Sequence, residues 1–209
     1  MTGNRVNFLW IALVATYTLI HIFLVPQQWG KNAISDTGIF SILTIVIASI
    51  ALLRLFITTR QIPDSAIKFS LYALTYIILI YILREADFHR LFTDEHITRD
   101  KFYTDPNIDL NQKILGGIPM ALFFFCFFYV LVRHAKFVAT RVLKFQPWAI
   151  AVFLWGATIV TSQVLDKSSL NEIYFGRVME EMLEFCAAGY LLLAVFLSTS
   201  VLKNFYANK

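Results

Sequence analysis

Six long apolar runs, separated by polar segments, dominate the pattern of the chain. Each run is about 20 residues long, which is the length that an α-helix needs to cross the hydrocarbon core of a bilayer. The runs do not alternate apolar and polar positions, and they are too long for strands of a membrane β-barrel. The pattern therefore predicts an all-α, polytopic membrane protein with about six transmembrane helices in one bundle. The predicted spans are residues 7–26, 37–57, 67–86, 114–132, 147–166 and 178–201.

The composition agrees with a chain that lies in lipid. Of the 209 residues, 58% are hydrophobic and 15% are charged, whereas a soluble domain carries about 25% charged residues. This length suits one domain, so we interpret residues 1–209 as a single six-span membrane domain. Cys126 and Cys186 lie inside apolar runs, which favours buried thiols over a disulfide.

The charges are divided unequally between the two sides that the six spans define. The side with both termini receives ten basic residues and only Asp64 as an acid, while the other side receives thirteen acidic and eight basic residues. The positive-inside rule then places both termini in the cytoplasm. The small size and compact loops indicate a bacterial inner (plasma) membrane. The basic ends are explained by contact with membrane lipid, so we expect no nucleic-acid partner.

The segment 84–113 is the one long loop, and we expect it to lie on the outer face of the membrane. Residues 93–96 have the composition of a helix start, and Asp105 precedes Pro106 as a cap residue would. We interpret the loop as short interfacial helices. Its expected membrane anchors are Phe92, Phe102 and Tyr103.

The densest charged stretch begins this loop. If the helix continues through it, Glu85 and His89 lie about 40° apart on one face. Asp87 then lies three residues from both Arg84 and Arg90, a spacing that suits ion pairs along a helix. The stretch therefore predicts a structural ladder around Asp87 and a free Glu85–His89 pair facing the bundle.

The sixth span begins with a stripe of charged residues. On a helix, Arg177, Glu180, Glu181 and Glu184 fall within about 100° of arc. Glu184 lies about 10 Å below Arg177, inside the hydrocarbon. An ionised carboxylate there costs at least about 2.5 kcal/mol unless it is compensated, which makes Glu184 a candidate functional residue.

Two further polar residues are expected at a similar depth near the outer face. His21 lies within the last two turns of the first span, and Asp166 ends the fifth span. Histidine and carboxylate ligands together suit zinc, manganese or iron. The sequence thus predicts one divalent metal, with Glu180 or Glu181 as the base of a hydrolase acting on a lipid or lipid-linked substrate. The predicted metal ligands are His21, Glu85, His89, Asp166 and Glu184.

Other interpretations of this cluster stay open. The acids can pair with the basic residues Arg84, Arg90, Lys167 and Arg177. In that case the protein is a non-enzymatic accessory or structural subunit whose cluster fixes helix packing or docks a membrane-protein partner. Protonatable carboxylates in a span also suit a proton- or cation-coupled transporter. His21 and His89 together allow a bis-histidine haem site. No His-Glu-x-x-His, Gly-x-Ser-x-Gly or P-loop motif is present to select a known chemistry.

Overall fold

The computed structural model describes residues 2–24, 38–88, 100–168 and 173–207. These residues form α-helices and no strand. The prediction of an all-α fold is therefore confirmed. The helices are α1 (Thr2–Leu24), α2 (Ile39–Gln61), α3 (Ser65–Glu85), α4 (Asp100–Thr104), α5 (Leu110–Leu143), α6 (Pro147–Asp166) and α7 (Tyr174–Ala207).

Five of the described helices, α2, α3, α5, α6 and α7, are long and apolar enough to cross a membrane. They coincide with five of the six predicted spans, so the chain has the character of a multi-pass membrane protein. The helices α5 and α7 are both longer than predicted, at 34 residues each. At 1.5 Å per residue each measures about 51 Å, which exceeds a hydrocarbon core of about 30 Å.

The last helix is the centre of the bundle. It packs against α1, α2 and α6. In its apolar stretch 61% of the residues are buried, compared with 11% in that of α5. Small residues line its contacts and those of its neighbours, which lets helix backbones approach closely in a membrane. The fully buried alanines of this core are Ala48, Ala51, Ala149, Ala151, Ala187 and Ala188.

The first helix runs antiparallel to α7 through the same layer. At one end the Asn7 amide donates to the Pro147 carbonyl, where α6 begins. Ten residues further along α1, the Tyr17 ring lies 5.5 Å from the ring of Phe40, where α2 begins. This part of α1 therefore lies beside α7, between the start of α6 and the start of α2. The described residues give five candidate spans instead of the six predicted, and α1, which coincides with the predicted span 7–26, is not among the five.

Polar contacts join α3 to the peripheral helix α5. His134 Nε2 lies 2.9 Å from Ser70 Oγ, and Ser70 Oγ lies 3.4 Å from the Tyr129 hydroxyl. Deeper in the bundle, the Tyr76 hydroxyl donates to the Pro119 carbonyl of α5. These bonds satisfy polar side chains between the two helices.

The connection before α5 differs from its prediction. Asp105 does not begin a helix, because its carboxylate accepts a bond from the Asn107 amide in a turn after α4. The N-cap of α5 is Asp109, which accepts from the Asn111 amide. Proline fits the turn that follows Asp105 as well as it fits a helix start, so the dipeptide alone does not distinguish the two.

The predicted membrane anchor Phe102 is wrong. Its side chain is 0% exposed and packs edge-to-face on Tyr103 at 5.0 Å. Phe102 is therefore covered by protein and does not contact lipid. Tyr103 is exposed, and its role as an anchor stays a prediction. Phe92 and the predicted helix start at 93–96 lie outside the described residues.

Candidate functional site

The helix directions divide the bundle into two ends. The end where α1, α3 and α6 begin is called the basic end, and the opposite end, where α3 and α6 finish and α7 begins, is called the acidic end. The candidate site lies at the acidic end. It is formed by the last turns of α3 and α6 and by the third turn of α7.

Arg84 holds the site together. Its guanidinium Nη2 donates to Glu184 Oε1 of α7 at 2.7 Å. The same side chain donates to Oε1 of the neighbouring Glu85 through both Nη2 and Nε, the latter at 3.1 Å. One cation thus binds two carboxylates on two helices, an arrangement that the forked guanidinium group suits and an ammonium group does not.

Glu184 has a second donor from a third helix. The Ser162 hydroxyl of α6 donates to Glu184 Oε1 at 3.0 Å. Below this pair, the Tyr81 hydroxyl of α3 donates to the Glu184 carbonyl at 3.4 Å. The Arg84 guanidinium carbon lies 5.9 Å from the centre of the Tyr81 ring, within the range of a cation–π contact. The cluster of Tyr81, Arg84, Glu85, Ser162 and Glu184 is called the Arg84 cluster below.

The Arg84 cluster is enclosed by protein on most sides. The side chains of Glu85 and Glu184 are 6% and 11% exposed, and that of Arg84 is 35% exposed. Ser162 is 0% exposed. Two carboxylates share one arginine, so the cluster contains one acid more than Arg84 balances.

The helix does not continue through this stretch as predicted. The helix α3 ends at Glu85, and Asp87 takes a left-handed backbone conformation with φ of 48°. The pairing of Asp87 with Arg90 and the Glu85–His89 pair involve residues outside the described part of the chain and stay predictions. Arg84 points instead to Glu85 and Glu184. His89 and Arg90 lie outside the described residues.

The other predicted residues surround the Arg84 cluster without joining it. Glu180 is half-buried and close enough to Glu184, Asp166 and Arg177 to interact with their charges. Glu181 interacts in the same way with Tyr81. Asp166 is exposed at the last residue of α6. His21 is part of α1, but its side chain is outside the described set.

The described residues contain no group of three His, Cys, Asp or Glu side chains that could hold a metal ion. Of the five predicted ligands, Glu85 and Glu184 come together, and both are bound by Arg84. Among the described residues, Arg84 makes no ion pair with Asp166. The remaining two, His21 and His89, have side chains outside the described part of the chain, so the predicted metal remains a prediction.

Sequence reasoning missed the central role of Arg84 and the contribution of Tyr81. A signal was present, because Tyr81, Arg84 and Glu85 have i, i+3 and i+4 spacing and share one face of α3. The assumption that the helix continued to residue 90 assigned Arg84 to a different face. The sequence predicts that Glu184 lies inside the hydrocarbon. Its bond to Ser162, one turn before Asp166 at the end of α6, agrees with that depth.

Comparisons of the chain with protein-family models, with curated proteins and with solved structures found no match.

Proposed function

We propose that the protein is a non-enzymatic accessory membrane protein whose Arg84 cluster fixes the packing of α3, α6 and α7. The observation that carries this proposal is the pair of bonds from Arg84 to Glu85 and Glu184. A buried carboxylate is stable when it is paired with a cation and its remaining lone pairs accept hydrogen bonds. Oε1 of Glu184 meets both conditions through Arg84 and Ser162.

The same geometry opposes direct use of these carboxylates as metal ligands. Arg84 binds Oε1 of both Glu85 and Glu184. A divalent metal on the same two carboxylates would compete with the guanidinium for their charge and would place a second cation beside Arg84, which is unfavourable in a poorly hydrated site. A packing role requires no such rearrangement.

The partner of an accessory subunit is expected at the rim of the acidic end. Asp166, Lys167 and Arg177 are exposed there, around the buried Arg84 cluster. Charges of both signs at a rim favour orientation and selectivity toward a partner of complementary charge. The proposed partner is therefore another membrane protein with polar groups at the same depth.

The packing role is tested with Arg84→Gln, Glu184→Gln and the double variant in purified protein. Arg84 is one third exposed, so each single change is expected to cost about 1–3 kcal/mol. The double variant should lose less than the sum, since both changes remove one interaction. Thermal unfolding in detergent measures this, with exposed Lys167→Gln as a control expected within about 0.5 kcal/mol of wild type.

Additive losses, or an unchanged midpoint in Arg84→Gln, contradict the packing role. Chelator provides a further check, because a packing cluster without metal keeps its unfolding midpoint when EDTA is added. The docking role is tested separately with the double variant Lys167→Gln, Arg177→Gln. It should keep the wild-type midpoint and lose a membrane protein that copurifies with wild type in mild detergent. Retention of that protein contradicts the docking role.

A metal-dependent hydrolase acting on a lipid or lipid-linked substrate is the second candidate. The observation that favours it is the excess of acid at the site, where Glu85 and Glu184 share one arginine and Glu180 lies nearby. Zinc, manganese or iron bound by these carboxylates with His89 or His21 would supply an activated water. Glu180 or Glu181 would act as the base.

Metal content decides between the two candidates. Wild type, Glu85→Ala and His89→Ala are purified without chelator and analysed by elemental mass spectrometry. The hydrolase requires near-stoichiometric metal in wild type and its loss in both variants. Stable wild-type protein without metal contradicts the hydrolase.

We further propose that the acidic end faces the outside of a bacterial inner membrane, with both termini in the cytoplasm. The support is the charge asymmetry between the ends. This topology takes α1, which lies between the start of α6 and the start of α2, as a sixth crossing.

A further inference from the structure

The last three turns of α5, at the basic end, form a surface that the Arg84 cluster does not explain. The segment 133–144 contains four basic residues and no acid. With 100° per residue, the basic positions fall within an arc of about 140°. They are Arg133, Lys136, Arg141 and Lys144, and they are called the basic stripe.

One flank of the same turns faces the bundle. His134, about 90° from the centre of the basic stripe, contacts Ser70 of α3 at 2.9 Å. Arg141, next to this flank, is half-buried, whereas Arg133, Lys136 and Lys144 are exposed. Both ion pairs found among the described residues belong to Arg84, so no carboxylate pairs with the basic stripe within that part of the chain.

Aromatic contacts give the depth of the basic stripe. The Phe137 ring, in its middle, stacks on the Trp148 ring at 5.8 Å. Trp148 is the second residue of α6, a span of 20 residues that just matches a hydrocarbon core of about 30 Å. The Arg141 guanidinium lies over the Phe137 ring, 5.0 Å from its centre. The basic stripe therefore lies at the level of the lipid headgroups.

Exposed apolar side chains lie further toward the membrane centre, on the Lys136 side of the basic stripe. Leu122 and Phe125 are 44% and 59% exposed and lie within about 90° of the centre of the basic stripe. An acyl chain can lie along these residues while its phosphate contacts the basic stripe. A nucleic acid has no aliphatic group that suits the apolar part.

We propose that the basic stripe and the apolar surface beside it form a binding site for the phosphate headgroup and acyl chain of an anionic phospholipid. Each basic side chain near anionic headgroups adds about the same amount to the free energy of binding. This site lies at the opposite end of the bundle from the Arg84 cluster and is independent of the function proposed for that cluster.

The test is a native mass-spectrometry titration of the purified chain in detergent with phosphatidylglycerol, and in parallel with phosphatidylcholine. Wild type should bind phosphatidylglycerol more tightly. The variant Lys136→Gln, Lys144→Gln should bind it roughly fivefold more weakly for each charge removed, and so about 25-fold more weakly in total. The variant with Lys136→Arg and Lys144→Arg should keep wild-type affinity.

The matched control is Arg5→Gln, Arg60→Gln, which removes two exposed charges at the same end but on other helices. It should keep most of the wild-type affinity. An equal loss in the control shows a general effect of charge and overturns the site. Wild-type affinity in the Lys136, Lys144 variant also overturns it. Displacement of the lipid by inorganic phosphate, but not by chloride at equal ionic strength, would show a free-phosphate site instead.

Discussion

At the scale of single residues, the Arg84 cluster illustrates how a carboxylate is tolerated inside a span. Glu184 is 8% exposed and accepts bonds from a cation and a hydroxyl. Removing a donor from such a group has a larger effect than the net strength of one hydrogen bond, because the acceptor remains buried. The stability of the site should therefore respond to changes that leave its charges intact.

Ser162→Ala makes such a change. It removes one of the two donors to Glu184 Oε1 and should lower the free energy of unfolding by about 1–3 kcal/mol, since the lost bond is to a charged group. Thermal unfolding in detergent measures the loss. Thr161→Ala is the matched control, because the neighbouring hydroxyl is exposed and bonds only to the Ala157 carbonyl of its own helix. Equal effects of the two changes would contradict a specific role for Ser162.

The sequence indicated which residues of this site were unusual but not how they pair. Glu184 stands out because an acid in an apolar run needs compensation, and this holds whatever the packing. The partner Arg84 could not be identified in the same way, since its direction depends on where α3 ends. That end is determined by the backbone at Asp87, which follows no strong local signal such as glycine or proline.

At the scale of helices, hydropathy predicts the spans well but not their neighbours. The apolar runs are hydrophobic on all sides, so periodicity does not show which face is buried. The central position of α7 is nevertheless marked by its small residues, since Ala187, Ala188 and Gly189 are adjacent. Small residues in spans favour close helix contact, and Gly189 provides the clearest case.

Gly189→Ala is expected to separate α1 from α7. A Cβ at this position would overlap the indole of Trp10, whose Nε1 donates to the Cys186 carbonyl at 3.2 Å. The ring has to move, so the change should cost about 1–3 kcal/mol. Gly156→Ala in α6 is the control, because a Cβ there meets nothing within 4 Å and alanine favours a helix by up to about 1 kcal/mol.

Unfolding midpoints of the two glycine variants compare these expectations directly. The midpoint should fall for Gly189→Ala and stay level or rise for Gly156→Ala. A fall of the same size in both variants would mean that alanine destabilises the protein equally at the two positions. The contact between Trp10 and Gly189 would then not determine the packing of α1.

At the scale of the whole molecule, the two ends of the bundle have different chemistry. The basic end contains the basic stripe and exposes many cations, while the acidic end contains buried carboxylates around one arginine. Charge counts predict this division from the sequence alone, because they depend only on the order of the spans. The 84–113 segment is harder to predict, since short polar helices such as α4 have weak local signals and depend on buried anchors like Phe102.

Labelling with a membrane-impermeant maleimide tests the proposed topology. Arg5, Lys144 and Lys167 are exposed at the ends of α1, α5 and α6, so single cysteines at these positions should react readily. If α1 crosses the membrane, Arg5→Cys and Lys144→Cys should react only in inverted vesicles, and Lys167→Cys only in intact cells. The natural Cys126 and Cys186 are buried, so wild type gives the background. Labelling of Arg5→Cys in intact cells, with Lys144→Cys protected, would leave five crossings and place the termini on opposite sides.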